Sequence, residues 1–265
     1  MAKIDQLLII GCGNMGGAML AGWLAAGLDP SRFAVLDPAI PSVPEGVTLH
    51  REMPMNSGHD AVLLGFKPQQ LAALAPGLQS ATGPGVTLYS LLAGITLESL
   101  CGEFPQAAAH VRVMPNLAAR IGKSPVILAQ TGLDAGMRDA AFALFDKLGS
   151  ALWLEDEAQF DLVTALAGSG PGFVYRFIDA LAGAASDLGL DRAMSDALAL
   201  SMVEGASALV SASDVSPGQL ADQVASPGGM TREGLNVLDE NAALQRLLTE
   251  TLRKTADRGA ELARK

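Results

Sequence analysis

Residues 6–16 read Gln-Leu-Leu-Ile-Ile-Gly-Cys-Gly-Asn-Met-Gly, and no other stretch limits the fold so much. A continuous apolar run of this length that stops at glycine reads as a strand buried on both faces. Residues 18–26 then read as a helix halted by Gly27. Between strand and helix stand Gly11, Cys12, Gly13, Asn14, Met15 and Gly16, a Gly-x-Gly-x-x-Gly series in the setting that gives the pattern meaning. The first glycine permits a sharp turn, the second lets a pyrophosphate approach the backbone, and the third lets helix and strand pack closely. The loop is therefore expected to hold a dinucleotide.

The same stretch has no charged residue between Asp5 and Asp29, long enough to suggest a membrane span. Six glycines (11, 13, 16, 17, 22 and 27) and Asn14 interrupt it, and it lacks a basic leader and a small-residue cleavage site. A soluble strand–loop–helix unit accounts for it better. Cys12 is read as a small residue of the loop before it is read as a nucleophile. With only Cys12 and Cys101, far apart, no disulfide framework or zinc site is expected, which fits a reducing cytoplasm.

The strand signals continue at residues 33–36, 61–66, 86–92, 108–113, 126–129 and 151–154, with a helix over 142–148. This alternation predicts an α/β unit built on a doubly wound, mostly parallel sheet. Asp37 ends the second strand about 20 residues after the third glycine, where a carboxylate accepts from a ribose 2′-OH and favours NADH over NADPH. Arg51 is the base that could offset a 2′-phosphate, and Asp37 could equally only open the Asp37-Pro38 turn. Lys67 follows another strand at the edge where open α/β sheets bind ligands, or is an ordinary loop lysine.

From about residue 155 the strand signals vanish. Helical periodicity covers 160–167, 172–188, 192–211, 219–225, 232–240 and 242–263, with Asn241 expected as a cap. Two domains follow: a dinucleotide-binding domain over 1–157 and a helical domain over 158–265. A helical half this apolar is expected to bury part of itself in a second subunit. Net charge is −10, which argues against nucleic acid or an anionic membrane as a partner.

One loop in the helical half stands out: Ser226, Pro227, Gly228, Gly229, Met230 and Thr231. Thr231 is expected as the N-cap of the helix over 232–240. Bare amides at a helix start hold anions, so the loop is expected to hold a substrate carboxylate, unless it is simply a turn between helices. Chemistry elsewhere is sparse. All three histidines (50, 59, 110) lie in the first half, and beyond Asp161 the only lysines are Lys254 and Lys265. An alcohol dehydrogenase usually needs a His, Lys or Tyr base. Hydride addition to a protonated C=N bond needs none, only alignment.

These residues carry a resemblance. The chain resembles the pyrroline-5-carboxylate reductase family in residues 10–16, in Phe66-Lys67-Pro68-Gln69, in Val113-Met114-Pro115-Asn116, in residues 165–172 and, most specifically, in 217–220 and 224–231. The resemblance implies a Rossmann domain followed by a helical domain that dimerises, often into rings of dimers. It implies reduction of 1-pyrroline-5-carboxylate to L-proline with NADPH or NADH. Ser226, Gly228, Gly229, Met230 and Thr231 would hold the carboxylate, with Thr231 also bonding the ring nitrogen. Gly11–Gly16, Phe66, Lys67, Pro68, Ala93, Gly94 and Asn116 would line the cofactor. The chain departs from the family in Leu117-Ala118 after Asn116, in Met230, and in Asp37. Two other readings are a β-hydroxyacid-dehydrogenase-like enzyme, which lacks its lysine here, and a non-catalytic dinucleotide sensor.

Overall fold

Strand β1, Leu7–Ile10, is buried at all four positions. Leu7 and Ile9 enter one apolar cluster with Trp23, Phe33 and Phe145, while Leu8 and Ile10 enter another with Leu71, Leu100 and Phe104. Alternate side chains of a strand point to opposite faces, so both faces of the sheet are covered. The computed structural model describes residues 4–54 and 58–263.

The described chain forms two compact units. One runs up to Gly168 and takes in the residues from Thr255 onward; the other is Ser169–Lys254. These bounds differ from the compositional change at 157/158. The reason is local: Phe160 is buried with Leu97 and Ala129, so the segment after 157 packs on the first unit.

In the first unit eight strands lie in the order β3-β2-β1-β4-β5-β6-β7-β8. They are β1, β2 (Phe33–Leu36), β3 (Thr48–His50), β4 (Ala61–Leu64), β5 (Thr87–Ser90), β6 (Ala109–Met114), β7 (Ser124–Thr131) and β8 (Gly149–Trp153). Every neighbouring pair is parallel except β6 with β7. Helices α1 (Asn14–Ala25), α2 (Leu71–Leu78), α3 (Leu97–Glu103) and α4 (Ala135–Asp146) join them. Helix α4 starts at Ala135, well before the expected 142, because Asp134 caps it by accepting from the Met137 amide at 2.8 Å. The helix expected over 160–167 is broken: α5 (Phe160–Val163) passes into a π turn, Thr164–Gly168.

The direction of the sheet reverses at β1. From it the chain order goes one way to β2 and the other way to β4, with Ile10 paired to Leu36 on one side and Leu64 on the other. Ligands of open α/β sheets bind beyond the carboxyl ends of strands at such a switch point.

The second unit is helical. It holds α6 (Gly170–Asp187), α7 (Arg192–Ser211), α8 (Pro217–Gln223), α9 (Met230–Asp239) and the first part of α10 (Ala243–Ala263). Asp191 caps α7, and Ser216 with Gln219 forms a capping box on α8. Asn241 is not a cap. It and Ala242 take left-handed φ values of 50° and 54° and make the kink before α10. Within this unit Tyr175, Leu198 and Leu209 are exposed at 65%, 55% and 60%. Among the described residues α7 alone has the length and apolarity of a membrane-crossing helix.

Candidate functional site

The glycine loop leaves β1 in a conformation only glycine takes easily. Gly11 has φ +84°, and a Cβ there would lie 2.8 Å from the Phe66 nitrogen. A Cβ at Gly16 would lie 2.9 Å from the Gly11 carbonyl, so the helix comes down onto the loop. At Gly13 a Cβ would meet nothing within 4 Å, which leaves an open cradle in front of the helix. Gly13 is the N-cap residue of α1, no side chain caps the helix, and its first turn carries no acid. Amides that lack a side-chain acceptor, at the positive end of a helix dipole, suit a pyrophosphate. A cleft of about 590 Å³ runs from Gly11 and Gly13 past Asp37, Phe66 and Lys67 to Leu74. The loop and cleft fit a dinucleotide.

The other first-half candidates line up along one edge. Asp37 follows β2, Phe66, Lys67 and Pro68 follow β4, Ala93 and Gly94 follow β5, and Asn116 follows β6. All four strands and β1 are parallel neighbours, so these residues share the carboxyl edge. Ala93 and Gly94 sit in a turn closed by the Ile95 amide to the Leu92 carbonyl at 3.2 Å, with Gly94 at φ +78°. Lys67 is exposed at the mouth of the cleft.

Asp37 is buried and turned inward. One carboxylate oxygen accepts from the Cys12 amide at 2.9 Å; the other accepts from the amides of Ala39 at 2.8 Å and Ile40 at 3.2 Å. Burial works against its charge, but those amides and Arg51 together outweigh burial and hold the carboxyl below its ordinary value. Burial, and then Asp37, push the Cys12 thiol up to about 11, so it stays protonated at neutral pH. Arg51 is tied to the turn after β2. Its guanidinium donates to the carbonyls of Asp37 at 3.0 Å, Ile40 at 2.5 Å and Pro41 at 3.3 Å.

Asn116 is committed at both ends of its amide. Its Oδ1 accepts from Ala118 at 2.9 Å, and its Nδ2 donates to the Ala167 carbonyl in the π turn at 3.0 Å. The side chain is a strut between β6 and the π turn. The sequence gives no local sign of this, since its partner lies far along the chain.

In the second unit the loop Ser226–Thr231 is a turn that runs straight into α9. The Gly229 amide donates to the Ser226 carbonyl at 2.9 Å, and Gly228 has φ +71°. Gly229, extended at ψ 161°, is the N-cap, which corrects the expectation for Thr231. The glycine turn brings the chain into helix two residues early, so Thr231 falls in the first helical turn and its hydroxyl is free of capping. No side chain caps α9. Arg232 ties the loop to α8 by donating to Asp222 at 2.9 Å and to the Ala225 carbonyl at 3.3 Å. Met230 is 94% exposed.

The first unit is thus a dinucleotide-binding unit of Rossmann type. Residues 157–262 match the family described as "Pyrroline-5-carboxylate reductase dimerisation". The chain is 32% identical to pyrroline-5-carboxylate reductase of Pseudomonas aeruginosa, over 97% of each chain. It is 32% identical to pyrroline-5-carboxylate reductase 2 of Bacillus subtilis, over 98% of this chain and 95% of that one. A solved pyrroline-5-carboxylate reductase from Coxiella burnetii superposes with a TM-score of 0.90 at 27% identity, covering 98% of this chain and 99% of that one. The chain belongs to the pyrroline-5-carboxylate reductase family.

Proposed function

We propose that the protein reduces 1-pyrroline-5-carboxylate to L-proline by hydride transfer from NADH or NADPH, the last step of proline synthesis. The observation that carries this is a pair of helix starts without side-chain caps in one chain of this family. One, α1, follows Gly11–Gly16; the other, α9, follows Ser226–Gly229. The first suits a pyrophosphate and the second a small carboxylate. The functional division is placed at 157/158, with the cofactor held by residues 1–157 and the substrate by 158–265.

When bound, the reduced nicotinamide supplies a hydride to the C=N carbon. The chain's own residues orient and restrain. Amides at Gly228, Gly229, Met230 and Thr231, with the Ser226 hydroxyl, hold the carboxylate. The Thr231 hydroxyl bonds the ring nitrogen, which carries its proton from solvent as an iminium, so no protein acid is required. Gly11, Cys12, Gly13, Asn14, Met15 and Gly16 hold the pyrophosphate. Phe66, Lys67 and Pro68 wall the adenosine side, and Ala93, Gly94 and Asn116 the nicotinamide side.

The cofactor preference is for NADH. The Asp37 carboxylate, charged at neutral pH, would repel a 2′-phosphate brought to the end of β2, while Arg51 donates to three backbone carbonyls. The exposed apolar side chains of α7 are covered by a second copy of the chain, and dimers assemble further into rings. The enzyme works in the cytoplasm.

Isotope transfer tests the reaction. Incubation with 1-pyrroline-5-carboxylate and NADH deuterated at the transferring position should give L-proline with one deuterium, on the former C=N carbon. Proline without deuterium, or none at all, would overturn the proposal.

A further inference from the structure

We propose that Arg112 and Glu157 are positioning residues that fix the Ala93–Gly94 turn at the nicotinamide end of the site. The proposal rests on the reading of the first unit as the dinucleotide site. Arg112 lies in β6, next to the strand that leads into the turn. Its side chain is 5% exposed, and its Nη1 stands 2.8 Å from Glu157 Oε1. The same oxygen accepts from the Leu97 amide, also at 2.8 Å. Leu97 is the first residue of α3, separated only by its cap Thr96 from the turn Leu92–Ile95 that carries Ala93 and Gly94. One carboxylate oxygen therefore ties the far side of the turn to a guanidinium anchored in the sheet.

The anchor is built from more than the ion pair. The Arg112 guanidinium lies 3.7 Å from the centre of the Phe160 ring, and Phe160 is itself buried against Leu97. Arg112 Nε is buried without an acceptor among the described residues. A cavity of about 250 Å³ touches Gly94, Thr96, Arg112, Glu157 and Asp161, so the clamp stands directly behind the turn. A half-buried ion pair whose guanidinium keeps an unsatisfied donor is a poor device for stability, because well-packed apolar side chains do as well. It is a good device for geometry, since a guanidinium and a carboxylate fix direction as well as distance. Just past the end of β6, Asn116 holds the π turn through Ala167. Arg112 in β6 and Asn116 just beyond it thus support both walls assigned to the nicotinamide.

The test compares two ligands by calorimetry: ADP-ribose, which lacks the nicotinamide, and NADH. The proteins are wild type, Arg112→Met, Glu157→Gln and Glu157→Leu, with thermal stability measured alongside. Arg112→Met and Glu157→Leu should weaken NADH about tenfold while leaving ADP-ribose within about twofold, because only the nicotinamide wall moves. Glu157→Gln keeps an acceptor for Leu97 and should recover most of the NADH affinity. Parallel loss of both ligands would mean a general structural role, and unchanged NADH binding would mean no role; either overturns the proposal. If Arg112→Met does not fold, the two Glu157 variants decide the matter alone. Failure of wild type to bind ADP-ribose would instead sink the dinucleotide reading itself.

Discussion

The carboxylate of Asp37 accepts a hydrogen bond from the Cys12 amide at 2.9 Å, joining the end of β2 to the middle of the glycine loop. It thus acts as a buried brace between strand end and loop. Replacing it with Ser should remove the charge that opposes a 2′-phosphate. The ratio of kcat/KM for NADPH to that for NADH should rise about tenfold, the scale of relieving one solvent-screened like-charge contact of about 1 kcal/mol. An unchanged ratio would remove Asp37 from cofactor choice.

The same brace has a pH signature. The folded carboxyl titrates below its ordinary 3.8. Its stabilisation is therefore present above that value and is lost as pH falls through the folded pKa. Wild type should be more stable than Asp37→Asn at pH 6, and the gap in Tm should close below about pH 4. A gap that persists in acid would mean the amides do not depend on the charge.

Thr231→Ala should lower kcat by about ten- to a hundredfold, the range for one hydrogen bond to a charged group. The Kd for NADH, measured without substrate, should stay within about twofold, as the proposed assignment of the loop to the substrate requires. Collapse of cofactor affinity would place the loop wrongly.

Gly22→Ala probes packing away from the chemistry. A Cβ there would lie 2.1 Å from the Ala119 carbonyl and 2.8 Å from a Leu148 methyl, so α1 would have to back away. Denaturant unfolding should show a loss of about 2 kcal/mol despite the better helix propensity of alanine. A gain in stability would contradict the close approach of α1 to residues 117–121.

Leu198→Asp and Leu209→Asp test whether the exposed face of α7 meets a second copy. Each should weaken dimerisation about a hundredfold by sedimentation, since an unpaired charge would be buried. Unaltered assembly would move the interface elsewhere.

The sequence was most readable where a local rule had no competitor. The run into Gly11 names β1, and the glycine spacing names its loop, because apolar burial and turn geometry act over a few residues. It was least readable where short or irregular pieces gain their form from neighbours. Strand β3 is three residues at a sheet edge with a mixed surface. Helix α2 carries Pro76 in its second turn, a residue that reads as a break. The cap of α9 shifted from Thr231 to Gly229 because the glycine turn fixed the helix entry before the threonine was reached. In the site, Asp37 was visible from its spacing, but its three amide partners were not. Nor was the pairing of Arg112 with Glu157, since long-range side-chain partners leave no periodic trace.

The most direct measurement is parallel oxidation of NADH and NADPH with 1-pyrroline-5-carboxylate as the only acceptor, with L-proline quantified. Oxidation matched one for one by proline, and faster with NADH, is the predicted result. A dinucleotide that binds but is not oxidised would contradict the account.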